Sequence, residues 1–211
     1  MWSRRFVKNL KQSVIGYQSV LQGPTVPIRG GTWEFVMSQA AEKSRLKYQW
    51  DPSSHRPGSD IVISKKHYSC KTSKVNRDHM MISSYRLSTK ANSNTPHAFI
   101  DEIDNVRHNF DFYAILAREQ RGEYISRYTV YQIPADRLKA GSLVWQKELN
   151  GNWYGNGPEY TMKIVKSTSY QLWMKVPLQY IEEDRVLDID IGNTIRPINL
   201  IDIYSTLYVD K

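Results

Sequence analysis

"GSDIVISKKHYSCK", Gly58 to Lys71, alternates polar and apolar residues with the period of two that marks strands with two different faces. Ile61–Ile63 and Tyr68–Cys70 read as the two arms of a hairpin, with Ser64 to His67 as a four-residue turn. In that register Ile61 faces Cys70, Val62 faces Ser69 and Asp60 lies directly opposite Lys71. Opposed side chains share a face. One face therefore carries Ile61, Ile63, Tyr68 and Cys70, and the other Asp60, Val62, Ser69 and Lys71. An aspartate at the start of one strand and a lysine at the end of its neighbour are thereby expected side by side.

Working outward, Phe6, Val7, Leu10, Val14, Tyr17 and Leu21 recur at three- and four-residue steps, which predicts an amphipathic helix over residues 4–22 stopped by Gly23-Pro24. Thr32 is placed to cap a second helix from Trp33 to about Tyr48, with Glu34 in its first turn. Asp51 to Ser59 is a Pro/Ser/Gly loop. Beyond the hairpin, "HAFIDEIDNVRHNF" is helical in pattern. "FDFYAILARE" and "EYISRYTVYQIP" are aromatic and β-branched strand sequences. The stretch from Ser142 to Pro177 predicts two or three strands divided by "NGN" and "GNG" turns. No repeat or linker divides the chain, so residues 1–211 are expected to form one mixed α/β domain.

The chain carries 29 Lys and Arg against 21 Asp and Glu, a net charge of +8 that favours polyanionic partners, chiefly nucleic acid. No apolar stretch is long enough for a membrane span. The basic residues Arg4, Arg5, Lys8 and Lys11 are followed by no continuous apolar block, so no secretory signal is expected. A single cysteine, Cys70, suits a reducing cytoplasm.

The five histidines and one cysteine show no zinc spacing. There is no Gly-rich phosphate loop and no G-x-S-x-G. Cys70, on the apolar face, reads as a core residue. Asp188 and Asp190 share a strand face and offer a cation site, although a solvated edge strand explains that alternation as well. There remains the hairpin, where Asp60 and Lys71 form either an ordinary cross-strand ion pair or part of a metal-dependent site. Hydrolysis of a phosphodiester needs a hard oxygen ligand for Mg²⁺ and a cation near the attacking water. Asp60 and Glu34 offer the first and Lys71 the second.

The series Glu34 … Pro57-Gly58-Ser59-Asp60 … Ser69-Cys70-Lys71 resembles the PD-(D/E)XK nuclease superfamily, and most closely its type II restriction endonucleases. "KTSKVNRDHMMISSYRL" and "STSYQLWMKVP" are similar to segments of the same enzymes, so the likeness spans about Thr32 to Pro177. Two positions depart from the pattern. The proline stands two residues further from Asp60 than in a Pro-Asp pair, and Ser69 occupies the place of the second carboxylate. Glu34 is the substitute carboxylate and Glu42 its reserve. The resemblance implies a restriction-endonuclease-like core, a central mixed β-sheet flanked by helices. It implies Mg²⁺ held by Asp60, Glu34 and the Cys70 carbonyl, with Lys71 serving the attacking water and Ser69 donating a hydrogen bond. Lys74, Asn76, Arg77, Asp78, His79 and Arg86 follow as candidate DNA contacts, since arginine and asparagine pair economically with guanine and adenine. Double-stranded DNA is the expected partner. A homodimer would place one active site on each strand of a palindrome, with the N-terminal helix or "INLIDIYSTLYV" as the interface. A nicking nuclease or resolvase of the same fold, and a DNA-binding module that does not cut, are the alternatives.

Overall fold

A computed structural model describes residues 2–20, 25–51, 59–86, 95–106, 109–166 and 170–191, apart from the side chains of Val20, Tyr85, Arg86 and Val106. Two helices lead, α1 (Arg4–Val20) and α2 (Gly30–Lys43), followed by β1 (Tyr48–Trp50), β2 (Ile61–Ile63), β3 (Lys66–Asn76) and β4 (His79–Arg86). Helix α3 (His97–Val106) then precedes β5 (Phe112–Arg121) and β6 (Tyr124–Pro134). Four short strands follow, β7 (Val144–Lys147), β8 (Trp153–Asn156), β9 (Thr161–Val165) and β10 (Gln171–Pro177), and β11 (Arg185–Asp190) comes last.

The strands form one 11-stranded sheet in the order β11-β6-β5-β3-β4-β10-β9-β8-β7, with β2 also paired to β3 and β1 to β2. β3 and β5 run parallel, and the other pairs are antiparallel. A parallel neighbour cannot be reached by a tight turn, which is why the chain crosses over through α3 between β4 and β5. The mixed sheet flanked by helices is the expected α/β class.

β5 shows why the sheet is covered on both faces. Tyr113, Ile115 and Ala117 enter one core with Phe99 and Ile103 of α3. Ala114 and Leu116, at the alternate positions, enter a second core with Phe6, Leu10 and Val14 of α1 and Trp33, Val36 and Met37 of α2. Helix α2 is pinned by Trp33, which is fully buried and donates Nε1–H to the Ala114 carbonyl at 2.9 Å. Trp33→Ala is expected to cost about 3–5 kcal/mol, the usual loss for a buried tryptophan. Urea unfolding checks this, and a loss under about 1 kcal/mol would show that α2 is held by other means.

The structure corrects several local expectations. The hairpin turns in two residues rather than four: Ile63 pairs with Lys66, Val62 with His67 and Ile61 with Tyr68. Ser64 and Lys65 both take positive φ, 50° and 68°, the left-handed turn whose twist matches its strands. The register therefore slips by two residues. Because the side-chain period is also two, every residue keeps its predicted face. Ile61, Ile63, Tyr68 and Cys70 are all buried. Helix α2 starts at Gly30 after Arg29, with no side-chain cap from Thr32, and ends at Lys43 instead of near Tyr48. Tyr48–Trp50 are strand instead, paired with β2. The segment expected to hold two or three strands holds four, β7 to β10, and where β7 pairs with β8 Gly155 lies opposite Trp145, so close to its ring that a Cβ there would meet it at 2.8 Å. Leu21 to Pro24, Pro57, Gly58 and "INLIDIYSTLYV" lie outside the described residues.

Candidate active site

The site forms where two strands share one side of β3. β2 pairs with β3 at Lys66–Tyr68, and β4 pairs with it at Val75 and Asn76. Between them β3 presents backbone groups that no strand among the described residues pairs with on this side, and buried backbone groups require partners. Asp60 supplies one. Its Oδ2 accepts the Cys70 N–H at 2.6 Å and the Lys71 ammonium at 3.0 Å, with the Ser69 hydroxyl at 3.4 Å. Lys71 also donates to the Cys70 carbonyl at 3.0 Å. Asp60 is held in place by its own N–H, which donates to the Tyr68 carbonyl at 2.8 Å. The slipped register puts Lys71 diagonally across from Asp60 rather than directly opposite, and the long lysine side chain spans the difference. The pair is partly shielded, at 24% exposure for Asp60 and 21% for Lys71.

Glu34 approaches from α2. Trp50 Nε1–H points at its Oε2 across 3.5 Å. Burial and then the negative charge of Asp60 push the Glu34 carboxyl above its ordinary range, while the Trp50 contact and Lys71 oppose the shift. Glu34, Asp60 and Lys71 thus act on one another electrostatically. Glu42, the reserve carboxylate, is exposed and engages Gln39 at 3.3 Å. Cys70 is buried at 3% exposure, and burial drives its thiol well above the ordinary range, so it is a core thiol. A cleft of about 780 Å³ opens beside Asp60, lined by Tyr48, Gln49, Trp50, His67 and Asn109 among others. Trp50 was not singled out in the sequence. Only the fold brings it against Glu34.

The donor set suits Mg²⁺. Among the described residues, no three His, Cys, Asp or Glu side chains converge as a metal cage. The oxygens on offer are the Asp60 and Glu34 carboxylates and the Cys70 carbonyl, and Mg²⁺ commonly binds through one or two carboxylates while keeping several waters. Burial first and the Asp60 charge second disfavour a charged Glu34, and a cation bound here would offset both. Asp188 is engaged instead in the sheet, accepting from Thr129 Oγ1 at 2.8 Å and meeting Arg185 at 3.4 Å.

A pH prediction follows from Glu34. A carboxyl raised in the folded state favours folding fully below its unfolded value of 4.5, and that contribution is lost as pH rises through the folded value. Without metal, Glu34→Gln should therefore raise the unfolding midpoint at neutral pH, with the gain fading below the unfolded value. Equal midpoints at neutral pH would show that Glu34 carries no folded-state strain.

The candidate DNA contacts sit at the other end of β3. Arg77 and Asp78 form the turn to β4, between the paired Asn76 and His79. Lys74, Asn76, Arg77 and Asp78 are exposed, and His79 Nδ1 lies 3.1 Å from Asp78 Oδ1. That contact lowers the Asp78 carboxyl below its ordinary range. Arg86 ends β4, and its side chain lies outside the described residues. Asn76 lies five positions along β3 from Lys71, about 17 Å, or some five base steps of a DNA strand.

No protein-family model matches the chain, and no curated protein matches it. Among the described residues, no helix is long and apolar enough to cross a membrane.

Proposed function

We propose that this chain is a Mg²⁺-dependent endonuclease of the type II restriction kind, cutting double-stranded DNA at a short sequence. One observation carries the reading: Asp60 Oδ2 gathers the Lys71 ammonium and the Cys70 N–H at the gap between β2 and β4, within the electrostatic reach of Glu34. The mixed sheet flanked by helices supports a restriction-endonuclease-like core.

Asp60, Glu34 and the Cys70 carbonyl would hold the ion, which when bound polarises the phosphate and lowers the pKa of water. The Cys70 N–H and Ser69 hydroxyl fix the Asp60 carboxylate, so the anionic wall of the site is preorganised. Lys71 orients the attacking water and places positive charge where the phosphate oxygens gain negative charge. The water oxygen joins phosphorus in line as the P–O3′ bond breaks, and its proton passes to solvent. The products are a 5′-phosphate and, once the leaving oxygen takes up a proton, a 3′-hydroxyl. The β3–β4 hairpin, with Lys74, Asn76, Arg77, Asp78 and His79, supplies base and phosphate contacts several steps from the cut.

Ser69, standing where the resemblance expects a carboxylate, favours a second reading, a DNA-binding module that does not cut. Digestion of a long DNA with and without Mg²⁺ separates the two. Discrete Mg²⁺-dependent bands support the restriction enzyme. A smear points to a non-specific nuclease, and intact DNA to the binding module.

Two strands require two hydrolytic events, and a two-fold dimer supplies one site per strand of a palindrome. Light scattering with a cognate duplex should give two chains per DNA. One chain per duplex, cutting the strands in separate encounters, would make it a monomeric nicking enzyme.

A further inference from the structure

Tyr17 of α1, Phe35 of α2 and Trp50 of β1 form a continuous row, with ring centroids 6.1 Å and 5.7 Å apart. Tyr48 extends it, since Tyr48 and Trp50 oppose Ile63 and Ile61 and so share the face turned to α2. Phe35 and Tyr48 are each 37% exposed, which is costly for ring surface that packing could have covered. The row reaches the site itself, where Trp50 meets Glu34 and, with Tyr48, lines the cleft beside Asp60. Beside Tyr48, Lys47 precedes it in sequence and Lys65 stands on the adjoining turn, both exposed and without an ion pair among the described residues. The Ser64 N–H to Lys47 carbonyl bond, 2.8 Å, places the turn bearing Lys65 against Lys47.

Exposed ring surface beside cations without an ion pair, next to the proposed cleavage site, matches a chain of alternating flat bases and phosphates. A paired duplex does not fit the row, because its bases are stacked inside and present only their edges. Ring faces can stack only with a base whose own face is free. We propose that this row binds an unpaired nucleotide strand, so that the substrate reaches the site with at least one unstacked base beside the scissile phosphate. The inference rests on the nuclease reading for what happens at the Asp60 end, but the binding stands by itself.

The test measures affinity in the absence of metal, by fluorescence anisotropy, for a short oligothymidylate and for a blunt duplex of equal length. Phe35→Ala removes an exposed ring, and Trp50→Phe keeps packing while removing the indole. For the oligothymidylate, Phe35→Ala should raise Kd roughly 10-fold. For the duplex, which is held mainly through phosphates, the change should stay under about threefold. Quenching of tryptophan fluorescence by the oligothymidylate should diminish in Trp50→Phe. An oligothymidylate affinity that both variants leave unchanged, or no binding by the wild type, overturns the proposal. Self-association that disappears in Phe35→Ala while oligothymidylate binding persists unchanged would assign the row to a second copy, and overturns it too. Absence of cleavage once Mg²⁺ is added would count against the nuclease reading alone.

Discussion

Lys71→Ala and Asp60→Asn should each reduce Mg²⁺-dependent cleavage by at least about 10³-fold while leaving DNA affinity within a few-fold of wild type. The two effects separate because they arise in different places. On the proposed reading, cleavage would depend on charge at one point, where Asp60 Oδ2 meets the Lys71 ammonium and the Cys70 N–H. Binding, on the same reading, would be spread over many phosphate contacts, so one substitution would remove little of it. Asparagine is the informative change at Asp60, since its carbonyl oxygen still accepts the Cys70 N–H. Alanine would orphan that donor and cost about 1–3 kcal/mol of stability besides. Glu34→Ala should be nearly as severe, because on that reading its carboxyl would complete the set of hard oxygens. Near-normal cleavage by Lys71→Ala or Asp60→Asn would rule out this site, and a heavier loss from Glu42→Ala than from Glu34→Ala would move the second carboxylate to Glu42.

DNA affinity should fall about 10³- to 10⁵-fold between ~50 and ~200 mM salt, the loss expected for a protein making six to ten phosphate contacts. The net charge of +8 provides the means. Exposed cations stand at Arg4, Arg5, Lys8 and Lys11 along α1 and at Lys74 and Arg77 on the β3–β4 hairpin. Each neutralised phosphate releases condensed counterions, so the slope of log affinity against log salt counts the contacts. Lys74→Ala should shallow that slope by about 1 if Lys74 meets a phosphate. If Arg77 reads a base, its loss should relax sequence preference at one position. A salt-independent affinity would show that DNA is not the partner.

The elements themselves are legible in the chain. The strands at Phe112–Arg121 and Tyr124–Pro134, and the helices at Arg4–Val20 and His97–Val106, follow from apolar spacing that local sterics translate directly into backbone structure. The faces of the hairpin were legible for the same reason, and an error of two residues in register left them intact because the side-chain period is two. The register itself was not. The turn at Ser64-Lys65 takes left-handed conformations without the glycine or asparagine that usually announces them, and the pairing of β2 with β3 outweighs that local cost. The candidate site divides along the same line. The closeness of Asp60 and Lys71 was readable because they are neighbours across one tight hairpin. Trp50 at Glu34, the aromatic row and the open side of β3 depend on α2, β1 and β4 meeting around that hairpin. Trp33 reaching Ala114, 81 residues away, shows how such meetings are decided. Local spacing determines which face of an element is apolar, but which distant face covers it is chosen only by packing the whole chain at once.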